Sequence, residues 1–374
     1  MADLPIRRAV PLAPLTTLEL GGPAEHFVEA DDVPTVTSAL RWAAARGMPA
    51  TLLGGGSNVV VPDAGVAGLV VRLGLRGVAM RRDGDRVLVT AAAGEPWDAL
   101  VARTVDAGLA GLECLSGIPG LVGATPIQNV GAYGQEVAET LARVRVLDRR
   151  TLEVHDLGPS ECGFAYRDSR FKREPGRHAV LEVTFALVPG GAPAVRYAEL
   201  ERALEEAGDE APTLAAVRDT VLRLRRAKGM VIDPDDANRR SAGSFFTNPV
   251  VSDAEAARVV ERALALGVAR DPSEVPRWPA GGGRTKLAAG WLIERAGIAK
   301  GHRQGHVGVS SRHALALVHH GGGTTDELLA LARRVRDTVH ARFGVTLVPE
   351  PVLLGATDPL WSRETLAKND GASL

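Results

Sequence analysis

The stretch SGIPGLVGATPIQNVGAYG at 116–134 constrains this chain more than any other, because five glycines and two prolines exclude a helix or regular strand of that length. Its backbone N–H and C=O groups must be satisfied from outside, by the rest of the fold or by a ligand. Loops this long without secondary structure are usually functional. A second glycine run, GGGSN at 54–58, lies between short apolar strands predicted at 49–53 and 59–61. No helix follows it and its spacing is neither GxGxxG nor GxxxxGK, so neither common nucleotide-binding fingerprint is present.

Around these loops helical and strand periods alternate. Val36, Leu40, Ala43 and Ala44 recur at helical spacing over 34–46, with Pro34 early and Gly47 past the end. Residues 86–92 read as a strand, and 95–107 as a helix with Trp97, Leu100, Val101 and Val105 on one face, stopped at Gly108. Strand-like segments continue to about 189, followed by a Gly/Pro break at 190–193 and a basic amphipathic helix over 213–228. A helix is expected at 286–296 with Leu287, Trp291 and Leu292 inward. Thr324 and Glu327 have capping-box spacing before a helix through Leu328, Val335, Val339 and Phe343 to Gly344. The last strand, 345–354, is interrupted by Pro349, Glu350 and Pro351, and the tail after 355 is expected to fray.

At 374 residues the chain exceeds what one core usually serves, so two or three packed domains are expected. With 45% hydrophobic and 24% charged residues and a net charge of -1, it reads as a soluble globular enzyme with no nucleic-acid or acidic-membrane partner. Cys114 and Cys162 are far apart and outside CxxC spacing, which argues for two reduced thiols against a disulfide framework or zinc. The histidines show no HExxH or facial-triad spacing, so they are expected to be solvated or structural, and no metal is expected. The first residues lack the apolar core of a secretory leader, and no stretch approaches the roughly 20 apolar residues that span a bilayer. A cytoplasmic protein is expected.

Read residue by residue, the candidate chemistry keeps two faces. Gly54, Gly55, Gly56, Ser57 and Asn58 either aim amides at an anion such as a diphosphate or make a tight turn. The second loop adds Gln128, Asn129 and Tyr133, polar groups able to address an isoalloxazine edge or a ribityl chain. Arg167 beside Asp168 either forms a surface ion pair or serves a site, and Ser244 either caps a helix or serves a site. Glu350, between prolines, cannot sit in regular helix or central strand, and its carboxylate, if buried, needs a partner or a raised pKa.

Six strings in order, LGGGSN at 53–58, SGIPGLVGATPIQNVGAYG at 116–134, YRDSRFK at 166–172, SAGSFFTNP at 241–249, KLAAGWLIERAG at 286–297 and PEP at 349–351, give nearly the whole chain a resemblance to the UDP-N-acetylenolpyruvoylglucosamine reductase family. The resemblance is to its longer subtype, with a Tyr-bearing loop over the substrate. It implies an α+β fold: a two-subdomain FAD-binding module of the PCMH/vanillyl-alcohol-oxidase type, 1–75 and 76–225, and a C-terminal α+β substrate-binding domain, 226–344. A terminal strand within 345–374 would rejoin the first subdomain. Non-covalent FAD would have its diphosphate at 54–58, with Ser116, Gly117, Ile118, Pro119, Gly123 and Ala124 wrapping the flavin and ribityl chain. Gln128, Asn129, Gly131, Ala132 and Tyr133 would complete that wrapping.

The activity so implied is NADPH-dependent reduction of UDP-N-acetylglucosamine enolpyruvate to UDP-N-acetylmuramate, a peptidoglycan precursor. Arg167 and Glu350 would stabilise an enolate, Ser244 would protonate C2, and Tyr197, Lys228 and Asn248 would hold the diphosphate and uridine side. A monomer without membrane insertion is expected. Pro349 and the long acidic loop at 229–240 depart from some relatives. Two rivals remain: an oxidase on the same scaffold with flavin tethered to a His, none of which lies between Gly47 and Gly77, and a silent nucleotide-sugar binder, which needs no proton donor.

Overall fold

Asp32 starts the first helix, its Oδ1 accepting the Thr35 amide at 2.7 Å, and the helix runs Val33–Ala44 with Val36, Ala39, Leu40 and Ala43 buried on one face. This is seen in a computed structural model that describes residues 4–208 and 211–362. The far end of the expected terminal strand and of the expected frayed tail, beyond 362, and the first three residues of the amino-terminal reading lie outside the described residues. The described chain forms two compact units, one of 4–10, 24–56 and 67–232, the other of 11–23, 57–66 and 233–362.

Besides the two-stranded pairing of Gly131–Ala132 with Gln135–Glu136, the first unit holds two larger sheets. One has strand order Arg7–Pro11, Pro23–Ala30, Val66–Leu73, Ala50–Leu53, the last two parallel with Ala50 opposite Leu69. The other runs Val154–Leu157, Leu141–Asp148, His178–Pro189, Arg86–Ala92, Val78–Asp83, and Leu109–Ala110 pairs the end of its central strand. His178–Pro189 is buried along most of its length because it is paired on both edges and packed by Trp97, whose indole meets Phe185 edge-on at 5.7 Å. The helices Ala198–Glu205 and Leu214–Ala227 cover a satellite core of Cys114, Tyr133, Leu200, Leu204, Val217 and Val221.

The second unit has a four-stranded sheet, Ser241–Ser244, Ala316–His319, Val307–Val309, Arg303–Gln304, and a three-stranded one, Val250–Ser252, Arg284–Leu287, Arg277–Gly281. Val352–Leu353 pairs in parallel with Val59–Val60. The helix expected at 286–296 begins later, at Ala289–Arg295, because Lys286 and Thr285 are committed to ladder pairs with Val250 and Val251. Strands and helices are segregated as an α+β fold. Among the described residues no helix is long and apolar enough to cross a membrane.

The long helix Thr325–Phe343 has the capping box read from the sequence: Thr324 Oγ1 accepts the Glu327 amide and Glu327 Oε2 the Thr324 amide, both at 3.1 Å. Gly344, at φ 75°, ends it. Asp63 was not foreseen there. Its carboxylate accepts from the Thr325 and Asp326 amides at 2.8 and 2.9 Å, anchoring the helix start to the turn after Val59–Val60. Asp63→Ala is expected to cost about 1–2 kcal/mol and lower the melting midpoint by roughly 2–6 °C. An unchanged midpoint in a thermal melt would show that the anchor contributes nothing.

Candidate active site

The two glycine loops meet in the first unit. A Cβ on Gly55 would lie 3.1 Å from Gly120 Cα, a backbone approach that leaves little room for a side chain. The backbone of 116–134 is held largely by the fold: the Trp97 amide donates to Gly120 O at 3.0 Å, Val122 N to Glu95 O and Gly123 N to Ala93 O, both at 2.9 Å. Gly123 lies flush against Ala93, whose Cβ would be 2.5 Å from an added methyl. Gly117, at φ 71°, donates its amide to Asp98 Oδ1 at 2.6 Å, and Arg218 clamps both oxygens of Asp98 at 2.6 and 2.8 Å.

Burial works against the Asp98 carboxylate, but the Arg218 guanidinium and the Gly117 amide together hold its pKa below the ordinary value. A depressed folded-state pKa means stability that is present above the ordinary 3.8 and lost as the pH falls through the lowered value. Asp98→Asn is therefore expected to lower stability at pH 7 by on the order of 1 kcal/mol after solvent screening. The gap to wild type should narrow in melts below pH 3.8; a gap that persists unchanged in acid would refute the charge-based account.

Most polar side chains of the second loop are spent on the fold. Ser116 Oγ donates to Glu113 O at 2.6 Å. The Asn129 amide donates to Glu136 Oε2 at 2.8 Å and Ala165 O at 3.0 Å, and its oxygen accepts from Ala138 N at 3.2 Å. Gln128 Oε1 differs: it is buried without a hydrogen-bond partner. So is Arg225 Nε, on a side chain only 9% exposed whose Nη2 donates to Met230 O at 2.8 Å. Nε sits 3.4 Å from where a Gly117 Cβ would be. A buried acceptor and a buried cationic donor left open beside a glycine loop suit a ligand with a polar, hydrogen-bonding ring edge, and an isoalloxazine fits that description. Arg225 was missed in the sequence, although it follows Val217 and Val221 at steps of four on the inward face of its helix.

Arg167 lies in the left-handed region at φ 52°, as do Asn129 at 42° and Tyr133 at 48°. Each such non-glycine position costs about 1–3 kcal/mol, and such strain clusters at functional sites. The Arg167 guanidinium donates to Gly131 O at 2.6 Å and to Asn129 O at 3.4 Å, while Asp168 pairs with Arg173. Next to this, Tyr133 meets Tyr197 edge-on with ring centroids 5.7 Å apart, and Lys228 Nζ lies 5.7 Å over the Tyr133 ring. Lys228, at the C-cap of its helix, also pairs with Glu199 at 2.6 Å. Burial pushes the Tyr133 phenol up to about 12, so it remains a neutral donor. The base of the Tyr197 loop is anchored by buried Glu113, which accepts from Ala194 N at 2.8 Å and Gly111 N at 2.7 Å. Nothing local in the sequence marks that anchor.

In the second unit, Ser244 ends a strand rather than capping a helix, and its Oγ lies 3.2 Å from His313 Nε2. Between two prolines without N–H groups, only Glu350 of the PEP segment can donate, and its amide bonds Phe245 O at 2.9 Å. Asn58 joins the same strip: its O accepts from Val352 N at 3.0 Å and its Nδ2 donates to Glu350 O at 3.5 Å. Ser57 O accepts from Thr17 Oγ1 at 3.4 Å. Ser244, Glu350 and the end of the first glycine run are thus brought together. Asn248 Oδ1 accepts from the first amide of the helix Ala289–Arg295 at 3.0 Å. Cys114 and Cys162 are buried free thiols, and burial raises them to about 12 and about 11. Among the described residues no His/Cys/Asp/Glu cluster suits a metal.

Residues 24–158 match the family profile described as FAD binding domain, and 233–354 that described as UDP-N-acetylenolpyruvoylglucosamine reductase, C-terminal domain. A UDP-N-acetylenolpyruvoylglucosamine reductase of Streptomyces coelicolor is 52% identical over 349 residues, 92% of this chain and 89% of that one. One from Mycobacterium tuberculosis is 48% identical over 361 residues, 94% and 95% of the two chains. The solved UDP-N-acetylenolpyruvylglucosamine reductase of Thermus caldophilus covers 94% of this chain and all of its own, with a TM-score of 0.64 and 26% identity. Together with the FAD-binding domain these matches make the chain a flavin-dependent oxidoreductase. It belongs to the UDP-N-acetylenolpyruvoylglucosamine reductase family.

Proposed function

We propose that the protein reduces UDP-N-acetylglucosamine enolpyruvate to UDP-N-acetylmuramate at the expense of NADPH, as a cytoplasmic monomer supplying peptidoglycan synthesis. The observation that carries this reading is the Ser244–Glu350 pair, tied through Phe245 in a chain of this family. The Glu350 amide donates to Phe245 O, so the residue that bears the carboxylate lies against the strand end that bears the Ser244 hydroxyl, and these two groups suit a reaction that must stabilise an enolate and then protonate it. On this reading 1–75 and 76–225 are the FAD-binding subdomains, 226–344 is the substrate domain, and the chain from 345 rejoins the first.

When bound, FAD would supply the hydride that NADPH provides, from N5 to C3 of the enolpyruvyl group. The amides of Gly54, Gly55 and Gly56, with Ser57 and Asn58, would hold its diphosphate, and Gln128 Oε1 and Arg225 Nε would answer the polar ring edge. Addition at C3 leaves an electron pair at C2, delocalised into the carboxylate. The Arg167 guanidinium, oriented in advance by the Gly131 and Asn129 carbonyls, and Glu350 stabilise that charge. Ser244 gives its O–H proton to C2, which completes saturation of the C2–C3 bond. Lys228 faces the diphosphate as a compact charge, exchanging part of its pairing with Glu199, and Tyr197 and Asn248 serve the uridine side.

The test is an absorption spectrum of the purified protein in the flavin region, followed anaerobically by NADPH and then by the enolpyruvyl sugar nucleotide. Bleaching by the first and recovery by the second are expected. A protein that takes up no FAD would remove the reading, and bleaching without recovery would point to another electron acceptor.

A further inference from the structure

We infer that His313 fixes the Ser244 hydroxyl in its working orientation by donating a hydrogen bond from Nε2 to Oγ, acting through Ser244 as a positioning residue. The inference rests on the proposed role of Ser244 as proton donor. A serine hydroxyl has one proton, two acceptor sites and a freely rotating O–H. If Nε2 accepted that proton, the O–H would point at the imidazole and away from any substrate carbon. The productive arrangement is the reverse: Nε2–H donates into Oγ at 3.2 Å, and the hydroxyl proton is left to face C2. The same bond stabilises the charge that develops on Oγ as the proton leaves, in the manner of an oxyanion donor.

The surroundings of His313 are built to hold it. Its amide and that of Arg312 both donate to Ser310 Oγ, at 3.3 and 3.1 Å, and Ser310 is fully buried. The next residue, Ser311, donates its amide to Asn238 Oδ1 at 3.0 Å. Asn238 is buried in turn and held by Asp236 Oδ1 through its amide at 2.9 Å and its Nδ2 at 3.0 Å, while Asp236 Oδ2 accepts from Arg312 at 3.3 Å. Asp236 and Asn238 therefore lock the turn that carries His313. On the other side Ser244 is fixed by its ladder pair with Ala316, and the Phe245 amide bonds Leu315 O at 2.7 Å. Two backbone frames thus set the distance between ring and hydroxyl, and neither side chain is left to find the other. His313 reads as a solvated or structural histidine because the histidines show no HExxH or facial-triad spacing, and the hydroxyl it meets lies 69 residues away.

The test compares half-reactions of the FAD-loaded protein by anaerobic stopped flow, with affinity for UDP-N-acetylmuramate measured separately by calorimetry. For His313→Ala, flavin reduction by NADPH and affinity for the sugar nucleotide should stay within threefold of wild type, while reoxidation by the enolpyruvyl substrate slows by tenfold or more. His313→Gln, which can still donate, should recover most of that loss. His313→Glu, which when ionised can only accept, should not. The double variant Ser244→Ala/His313→Ala should reoxidise no more slowly than Ser244→Ala alone, because residues acting as a unit do not add. Additive losses, a loss confined to affinity, or full activity in His313→Glu would each overturn the inference. Wild-type protein that the enolpyruvyl substrate fails to reoxidise would instead sink the proposed function itself, before any variant is compared.

Discussion

Ser244→Ala is expected to take up FAD and to be bleached by NADPH at the wild-type rate, yet to be reoxidised by UDP-N-acetylglucosamine enolpyruvate about 10²–10⁴-fold more slowly. The substitution removes one oxygen and keeps Cβ. Ser244 ends the strand Ser241–Ser244 through backbone pairing with Ala316, and that pairing does not depend on the hydroxyl. On the proposed mechanism Ser244 acts only after hydride has left the flavin, so the reductive half-reaction has no reason to change. What disappears, on the proposed mechanism, is the group that would end the oxidative half-reaction by giving C2 its proton. Ser244→Cys, with a larger and more acidic donor, should recover part of the rate. A fall of less than tenfold in Ser244→Ala would remove the proton-donor role and transfer it to solvent or to Glu350.

Local pattern revealed those parts of the fold that local pattern determines. The strand Arg86–Ala92 and the helix Thr325–Phe343, with its cap and its stop at Gly344, were legible because alternation, a capping box and a left-handed glycine are each written within a few residues. The helix expected at 286–296 was drawn too early because the ladder that claims Lys286 comes from Val250. The site divides in the same way. Gly55 and Gly123 announce close backbone approach by lacking a Cβ, yet nothing in the sequence says that Gly120 and Ala93 are what they approach. Asn129 read as a ligand for a cofactor; its side chain donates to Glu136 and Ala165 and accepts from Ala138, partners that nothing in the sequence marks. Arg167 read either as half of a surface ion pair with Asp168 or as part of a site, and the pairing of Asp168 with Arg173 is a contact the sequence does not indicate. His313 meets Ser244, 69 residues away, and such a contact leaves no periodic trace.

Arg167 carries the second large effect, because its position joins strain to charge. Arg167→Lys should keep FAD and its reduction within a few-fold, but slow reoxidation by about 10²–10³-fold, the range for loss of one preorganised donor to developing negative charge. The planar guanidinium can hold two carbonyls with one edge and present the other, and a lysine ammonium cannot do both. Comparing Arg167→Ala with Arg167→Gly separates the backbone from the charge. Both lose the guanidinium and should be equally slow, but at φ 52° alanine retains a Cβ that left-handed backbone disfavours. The glycine variant should therefore be the more stable of the two by about 1 kcal/mol, visible as a higher melting midpoint. Equal midpoints would mean that the left-handed turn at Arg167 costs nothing. A more stable and nearly inactive Arg167→Gly would mean that this turn is kept for the charge it aims, against the preference of the backbone.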